Sequence, residues 1–449
     1  MRSLLPLLLL LPLLLACSPD PGVDSPEPGD SEPAEDDWAL EILVDETIGS
    51  LLWLSWQQPE ADTVRVTWLD GESWVEGPDE QRETGPQEAL LLGVPYDVEV
   101  QVFLEGRHGR SETVTVATDP LPEGLAHGEL ATLEASAELP SMGGVLTSSV
   151  GMTQGESWSL ILDGIGRIVW ARRSPDGRLT LQPRISQDGS ALLIDHNSFY
   201  GSLDGGAASQ VQRLSIDGTE LAVHATPGLH HGFTDTVDGA IAWGATDGSS
   251  HDSLELLDTD GTQHQLWDCA DFFADLGVEQ ACQNNGLAWD VASDRFLVSL
   301  FATNSLVELD RDGRAQRWFG QLPQAWSFGE TGTAFWWQHG AHLTDTGTLL
   351  LSTHSSAMGD EIMVREYSVD EGSEALTQIW SHGDDDRLEA PLGGSVTRLP
   401  GGNTLHNTGS AGRIREITPA GELVWEVSFP DGTYLGRVSP IEDLYALLP

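Results

Sequence analysis

Histidines are the residues of this sequence best suited to chemistry, because imidazole is a competent nucleophile and general base near neutral pH, where much of it is unprotonated. The candidates lie in short motifs beyond residue 190: His196, His230, His231, His339, His342, His354 and His406. Each also has a simpler interpretation, as a hydrogen-bonded side chain at a half-exposed strand position. Their placement relative to the predicted strands must therefore separate a site from ordinary β structure.

The chain from about residue 125 onward is built of two alternating repeat types. One is a polar turn followed by a short apolar strand, as in "SQDGSALLID", "TVDGAIAWG", "ASDRFLVSL", "TDTGTLLLS" and "LPGGNTLHN". The other is a hairpin, as in "LDGIGRIVW", "LSIDGTELAVH", "LDTDGTQHQLW", "LDRDGRAQRW" and "ITPAGELVWEV". Asp-Gly between alternating strands predicts a hairpin, because glycine accepts the positive φ of a tight turn. Each pair of types predicts one four-stranded sheet, and sheets repeating at this spacing predict a β-propeller.

The pairs that begin near residues 186, 236, 293, 344 and 399 predict five blades. "LDGIGRIVW" is an outer hairpin without an inner partner, and the C-terminal "GRVSPIEDLYAL" can supply that partner and close a ring of six. Loops that lead into inner strands line the central channel of a propeller, where ligands usually bind. His231 and His339 each stand just before an inner-strand hairpin, so we expect both to reach the same channel.

Zinc binding is an alternative use of these histidines, since neutral imidazole is a good zinc ligand. No His-x-His or His-x-x-x-His spacing beside an acidic residue supports it. We therefore predict neither a metal nor a cofactor.

The region 38–120 consists of short alternating strands and resembles a fibronectin type III domain. Trp56 stands where that family places its core tryptophan, and Tyr96 opens a late strand in which Val98, Val100 and Val102 point the same way. The whole chain is thus predicted to be all-β: a fibronectin type III-like sandwich followed, from 125 to 449, by a six-bladed β-propeller. Nothing in the first domain suggests catalysis.

The first 37 residues carry targeting signals. Residues 1–16 combine one arginine with an unbroken apolar run, which is typical of a secretory signal and too short for a committed transmembrane helix. The "LLAC" that ends at Cys17 resembles the lipobox of bacterial lipoproteins, which implies a lipid on Cys17; a plain secretory signal is the alternative. Residues 17–37 form an acidic, proline-rich linker that has little to bury. We expect an envelope protein whose only membrane contact is its lipid, and Ser18 favours the outer membrane.

Cys269 and Cys282 are the two remaining cysteines. In an exported protein such a close pair predicts a disulfide that staples a long loop. A metal site is the alternative, although the Cys-x-x-Cys spacing is absent.

Charge excludes several functions. The chain has 71 acidic residues against 21 basic ones, and every basic one is arginine. A strongly anionic surface repels nucleic acid and acidic membranes, so neither is an expected partner. Without lysine, Schiff-base chemistry on a lysine is excluded. Oligomeric state cannot be deduced from the sequence.

From about Gly144 to the C-terminus the chain resembles the bacterial arylsulfotransferases. The matching segments include "LHHGFTDTVDGAIAW", "NNGLAWDVASDRFLVSLFATNSLVELDRDG", "WWQHGAHLTDTGTLLLS", "MVREYSVDEGSEALTQIW" and "LPGGNTLHNTGSAGRIREITPAGELVWEV". The resemblance implies an exported six-bladed propeller. It also implies transfer of a sulfuryl group from an aryl sulfate to a phenol through a channel histidine, without a soluble nucleotide donor.

Three residues take family roles by this resemblance. His339 falls at the nucleophile, His231 at a channel histidine that stabilises charge or acts as general acid, and Asn285 at an orienting donor. Elsewhere the chain departs from the family pattern. Gln283 replaces a histidine, Phe301 stands at an expected arginine, and Met363 occupies a further basic position, so that Arg365 or Arg413 would have to compensate.

These departures leave open a function from another class. A propeller that binds a ligand or partner at the cell surface, without catalysis, would retain His231 and His339 by inheritance. A hydrolase or lyase that uses the same channel is a third possibility.

Overall fold

The computed structural model describes residues 38–107, 109–139, 143–152, 155–329, 333–357 and 359–449. The predicted signal peptide (1–16), the lipid-bearing Cys17 and the acidic linker (17–37) lie outside the described residues. In the described ranges no helix is long and apolar enough to cross a membrane. The architecture is all-β, as predicted, with many antiparallel sheets.

The first part of the chain forms two sheets. Its strands are β1 (Glu41–Val44), β2 (Leu52–Gln58), β3 (Asp62–Asp70), β4 (Ser73–Arg82), β5 (Gly85–Leu91), β6 (Glu99–Gly106), β7 (Gly109–Arg110) and β8 (Val114–Ala117). One sheet has the order β1-β2-β5, and the other β4-β3-β6-β7 with β8 also paired to β6. Trp56, Trp68 and Val102 belong to one apolar cluster that joins the two sheets. The alternation of apolar side chains on β2, β3 and β6 is what places them there.

Tyr96 does not open a strand of this unit. The strand β6 begins at Glu99, and the backbone N–H of Tyr96 donates to the carbonyl of Ile168 at 3.2 Å. Its ring packs into an apolar cluster of the second part of the chain. Tyr96 is therefore a contact between the two parts rather than a sandwich core residue.

The second part comprises six sheets within the described ranges. The strands are β9 (Glu129–Leu133); β10 (Gly144–Gly151), β11 (Ser157–Leu162) and β12 (Ile168–Arg173); β13 (Arg184–Ile185), β14 (Leu192–His196), β15 (Gln210–Leu214) and β16 (Glu220–Ala225); β17 (Leu229–Asp235), β18 (Ile241–Ala245), β19 (Ser253–Leu257) and β20 (Gln263–Asp268); β21 (Asn284–Asp290), β22 (Arg295–Leu300), β23 (Ser305–Leu309) and β24 (Ala315–Gly320); β25 (Ser327–Phe328), β26 (His339–Leu343), β27 (Leu349–His354), β28 (Ile362–Asp370) and β29 (Ala375–His382); β30 (Ser395–Arg398), β31 (Thr404–Asn407), β32 (Arg413–Ile417) and β33 (Leu423–Ser428); and β34 (Thr433–Leu435) and β35 (Ser439–Ile441). Two short α-helices, α1 (Ser198–Ser202) and α2 (Cys269–Leu276), and the 3-10 turns Gly409–Ala411 and Leu444–Leu447 complete it.

The predicted hairpins are present. The β19–β20 hairpin, for example, turns at Gly261, whose φ of +85° only glycine adopts without strain. The innermost strands contact one another in succession, β17 with β21, β21 with β26, and β26 with β30. A Cβ at Gly340 on β26 would lie 2.8 Å from the Cα of Ser395, so glycine is what allows these strands to approach. The arrangement is propeller-like.

Two segments from distant parts of the chain complete sheets. The C-terminal strands β34 and β35 pair with β10, so the C-terminus supplies an inner partner as predicted, and β10 joins the same sheet. In another sheet, β9 forms the edge strand and pairs with β33. The repeat pattern did not reveal β9. Both pairings connect the N-terminal and C-terminal ends of the repeat region.

The two parts of the chain share a core. Leu51 and Leu92 of the first part pack with Trp170, Leu444 and Leu447 of the second. At the same junction, Arg167 donates two hydrogen bonds of 2.7 Å to the carboxylate of Asp70, the bidentate geometry that is strongest for this pair.

The predicted disulfide is present between Cys269 and Cys282. Cys269 begins α2, which is capped by the side chain of Asp268. The carbonyl of Cys282 accepts the N–H of Asp252 at 2.9 Å, so the closed loop is tied to the strand region that carries Asp252.

Candidate active site

A cavity of 1110 Å³ opens where the inner strands begin. His231 on β17, Asn285 on β21 and His339 on β26 all line it, although they are far apart in sequence. The three sequence-predicted site residues are thus brought together. Gln283 and Phe301 line the same cavity.

His339 has one ring nitrogen engaged and one free. Its Nδ1 lies 2.8 Å from the carbonyl oxygen of Trp337, which can only accept, so Nδ1 carries the hydrogen. Its Nε2 therefore has a lone pair, and no described residue occupies it. Burial lowers the pKa of His339 to about 4, so the ring is neutral near pH 7. This tautomer has the nucleophilic nitrogen available.

The Trp337 backbone holds this arrangement. Its φ is +47°, an unusual conformation for a bulky residue that costs of the order of 1 kcal/mol. The N–H of Trp337 donates to the side-chain oxygen of Asn304 at 2.8 Å, which helps to hold the segment. A strained residue directs its carbonyl to the imidazole beside the cavity.

His231 belongs to a chain of hydrogen bonds. Tyr200 lies in α1, and its hydroxyl is 2.9 Å from Nε2 of His231. Nδ1 of His231 lies 2.5 Å from Nδ1 of His230, whose Nε2 lies 3.0 Å from a carboxylate oxygen of Asp252. The same carboxylate oxygen accepts the N–H of Asn284 at 2.7 Å. Four side chains are therefore linked from the cavity to a buried carboxylate.

A strand irregularity allows neighbouring histidines to share one side. The pairing of β17 with β18 shifts between Leu229 and Phe233, around His230 and His231. Alternation would otherwise send consecutive side chains to opposite faces. Burial lowers the pKa of His231 well below its usual value, and the nearby His230 and His339 lower it further.

Asn285 is hydrogen-bonded within the protein. Its amide nitrogen donates to the carbonyl of Gln338 at 2.8 Å, and its oxygen accepts from the hydroxyl of Ser299 at 2.6 Å. The contact to Gln338 fixes the residue immediately before His339. Asn285 thus connects two inner strands and orients the backbone that carries His339.

Aromatic side chains form much of the cavity wall. They are Phe199, Tyr200, Phe301, Trp337 and Tyr434. Phe301 and Trp337 stack at 5.9 Å with an interplanar angle of 28°, and Phe301 is 36% exposed. Surfaces of this kind bind planar aromatic ligands.

The cation at the cavity is Arg178, which sequence reasoning did not identify. It lines the cavity, and its guanidinium forms no ion pair or hydrogen bond with any residue that the structure describes. The sequence does carry a signal for Arg178, because the residue lies in the loop "SPDGRLT" that precedes an inner strand. Arg365 and Arg413, expected as compensating residues, do not line the cavity. Arg365 donates to the carbonyl of Ala334, and Arg413 lies 3.4 Å from Glu426.

The remaining sequence candidates are hydrogen-bonded inside the β structure and do not line the cavity. His196 lies 3.0 Å from Gln212, and His406 lies 3.1 Å from the hydroxyl of Ser352. His342 and His354 each lie 3.1 Å from a backbone carbonyl. Met363 is buried on β28. Throughout the described ranges, no group of three or more His, Cys, Asp or Glu side chains is arranged to hold a metal ion.

Comparisons with known proteins find similar architectures. No protein-family model and no curated protein matches this chain. Among solved structures, a Bacteroides caccae protein of unknown function has 15% sequence identity and a TM-score of 0.47, covering 68% of this chain and 100% of its own. The periplasmic gluconolactonase of Pseudomonas aeruginosa has 14% identity and a TM-score of 0.41, covering 85% and 99%. Virginiamycin B lyase from Staphylococcus aureus has 12% identity and a TM-score of 0.40, covering 69% and 99%.

Proposed function

We propose that this protein transfers a sulfuryl group from an aryl sulfate to a phenolic acceptor, through a covalent intermediate on His339. The observation that carries the proposal is the state of His339: a neutral imidazole in a cavity with aromatic walls, with Nδ1 held by a carbonyl and Nε2 free. The reaction needs no cofactor, and small phenolic compounds are the partners.

In the first half-reaction, Nε2 of His339 attacks the sulfur, and the bond between sulfur and the aryl oxygen breaks. Its electron pair leaves on the phenolate. In the second, the oxygen of the acceptor phenol attacks the sulfur, the nitrogen–sulfur bond breaks, and the neutral imidazole is restored. Arg178 offers positive charge to the sulfuryl oxygens and to the phenolate.

The acceptor phenol must lose a proton in the second half-reaction. Tyr200, His231, His230 and Asp252 form a chain of hydrogen bonds that ends on a carboxylate. A proton shift along this chain leaves a lone pair on the Tyr200 oxygen that accepts the phenolic proton. We assign general-base action to the chain, with His231 as its cavity-side histidine.

The same proposal places the protein in the cell envelope. Residues 1–16 would be the lipoprotein signal, Cys17 would carry the lipid, and residues 17–37 would be the tether. The two-sheet unit at 38–120 would be a fibronectin type III-like spacer, a proposal supported by its strand order and its core Trp56. The six sheets of 125–449 support a closed six-bladed propeller.

One observation favours a second candidate, an aromatic-ligand-binding propeller without catalysis. Phe301 stands where the related enzymes are expected to have an arginine, and it forms a flat wall with Trp337. Gln283 likewise offers a neutral amide in place of a histidine. Such a wall favours the binding of an aromatic ring, but it cannot stabilise the negative charge that develops during sulfuryl transfer.

The test is turnover of a chromogenic aryl sulfate by the purified full-length protein, with and without added phenol. We expect phenol-dependent release in the wild type and in His264→Ala, which changes an exposed histidine on β20. We expect only background release in His339→Ala. If the folded wild type releases nothing yet its tryptophan fluorescence responds to the aryl sulfate, the binding function replaces the enzyme.

A further inference from the structure

A second group of cations lies close in sequence to residues that line the cavity. Gln182, Tyr434 and His339 line the cavity. Two or three residues further along the same inner segments come Arg184 and Arg437, together with His342. Extended chain rises about 3.3 Å per residue, so these residues lie within about 7–10 Å along the chain of residues that line the cavity.

The segments that carry the two arginines are adjacent. The backbone N–H of Arg437 donates to the carbonyl of Leu181 at 2.9 Å, three residues before Arg184. On the other side, the N–H of Val438 donates to the hydroxyl of Ser395 on β30 at 3.1 Å. Arg437 thus sits at the junction where the C-terminal strands meet the sheet that begins with β13.

Neither guanidinium forms an ion pair with a carboxylate of the residues that the structure describes. Arg184 is 5% exposed, its Nε has no hydrogen-bond partner among the described residues, and its guanidinium packs over the ring of Phe233 at 5.1 Å. The side chain of Arg437 forms no hydrogen bond or ion pair within the described ranges. The charges of Asp235 and Asp195 act on Arg184 without an ion pair. Each carboxylate accepts a backbone N–H group, and Oδ1 of Asp235 has no hydrogen-bond partner among the described residues.

The electrostatics of the group agree with its geometry. Burial lowers the pKa of Arg437 well below its usual value, and the positive charge of Arg184 lowers it further. Burial lowers the pKa of His342 to about 4, and the charge of Arg437 lowers it further. A guanidinium remains charged in proteins, so burying these two cations without an ion-pair partner among the described residues is unfavourable. Arg437 keeps some accessible surface in this setting, as a channel-lining side chain would.

We propose that a small inorganic anion, a halide or a sulfate, binds between Arg184 and Arg437. Such an anion bridges the C-terminal strands and the β13 sheet, and it offsets the repulsion between the two guanidinium groups. Asp235 and Asp195 act on Arg184 through their charge, but no described carboxylate forms an ion pair with either guanidinium, so both keep hydrogen-bond donors for an anion. The proposal does not depend on the sulfuryl-transfer reaction.

The first experiment is thermal unfolding of the purified full-length protein at constant ionic strength in gluconate buffer. Chloride, bromide or sulfate then replaces the gluconate. A saturable rise in Tm with a halide, with sulfate or with both is expected, and it identifies the anion. The control Arg314→Gln, at an exposed turn, keeps this rise. Arg437→Gln loses it, and in gluconate alone its Tm is at least that of the wild type, because an unpaired charge has been removed.

Two results would overturn the proposal: a Tm that does not respond to these anions, or an equal response in Arg437→Gln. A second measurement does not depend on any variant folding. Crystals of the wild type grown with bromide should show an anomalous peak between Arg184 and Arg437. Absence of that peak at saturating bromide, together with no sulfate density there, rejects the site.

Discussion

His230 and His231 are consecutive in the chain, yet their rings meet at 2.5 Å through their Nδ1 atoms. In a hydrogen bond between the two rings, one Nδ1 must donate and the other must accept. Because Nε2 of His230 faces the carboxylate of Asp252, the hydrogen between the rings belongs to His231. Its Nε2 then accepts the hydroxyl of Tyr200, so the chain runs in one direction, from the cavity to the carboxylate.

This direction predicts the effect of removing the charge at its end. Asp252→Asn keeps the shape of the side chain but no longer stabilises a proton on His230, so phenol-dependent turnover should fall about 100-fold. The measurement is kcat with an aryl sulfate and phenol over a range of pH, with circular dichroism to verify the fold. Asp258→Asn, beside the exposed His264, is the matched control. Unchanged turnover in Asp252→Asn would remove the chain from the mechanism.

The disulfide should contribute both stability and position. Cys282 accepts the N–H of Asp252 through its carbonyl, and its own N–H donates to Ser250 at 2.9 Å. Cys269→Ser with Cys282→Ser opens the loop, and the free energy of unfolding should fall by about 3 kcal/mol. Turnover should fall as well, since Asp252 loses its support. Urea denaturation of wild type and double variant measures the first effect, and full activity in the folded double variant would contradict the second.

The buried histidines predict a loss of stability in mild acid. His406 is 2% exposed, and burial lowers its pKa to about 3, whereas the unfolded chain has a histidine pKa of about 6.5. Below about pH 6.5 the unfolded state therefore binds a proton that the folded state does not. The free energy of unfolding should thus decrease as the pH falls from about 6.5 towards 3.

His406→Gln removes this contribution. It should reduce the slope of unfolding free energy against pH by about 1.4 kcal/mol per pH unit between pH 4 and 6. Urea denaturation at several pH values gives the slope. His264→Gln, at an exposed position, should leave the slope as it is. A slope unchanged by His406→Gln would mean that His406 takes up its proton in the folded protein.

Periodicity and turn chemistry predicted much of this fold. The Asp-Gly turns, as at Gly261, impose local conformations that need no tertiary context, so the hairpins could be read directly. The role of β9 could not, because its pairing with β33 joins two segments that lie far apart in the sequence. At the site, the position before an inner strand identified His231 and His339. Tyr200 lies in a short helix, and Asp252 precedes β19 and donates its N–H to the carbonyl of Cys282; no repeat pattern marks either residue.

Phe301 gives the prediction that best separates the two proposed functions. It lines the cavity beside Trp337 and is 36% exposed, so an arginine there can extend into the cavity without being buried. Phe301→Arg places a cation near the free Nε2 of His339, where negative charge would develop during sulfuryl transfer. One well-placed donor for such charge is typically worth about 100-fold in kcat, and we expect at least a 10-fold rise in phenol-dependent turnover.

The control is Phe301→Leu, which removes the aromatic wall without adding charge and should bind aryl sulfates more weakly with no gain in turnover. Combining Phe301→Arg with His339→Ala should return turnover to background, because the cation assists only if the imidazole attacks. A folded Phe301→Arg protein that binds the aryl sulfate but turns it over no faster than the wild type would contradict nucleophilic catalysis by His339. The aromatic wall would then be the function of the cavity, and the histidine chain would serve to hold its shape.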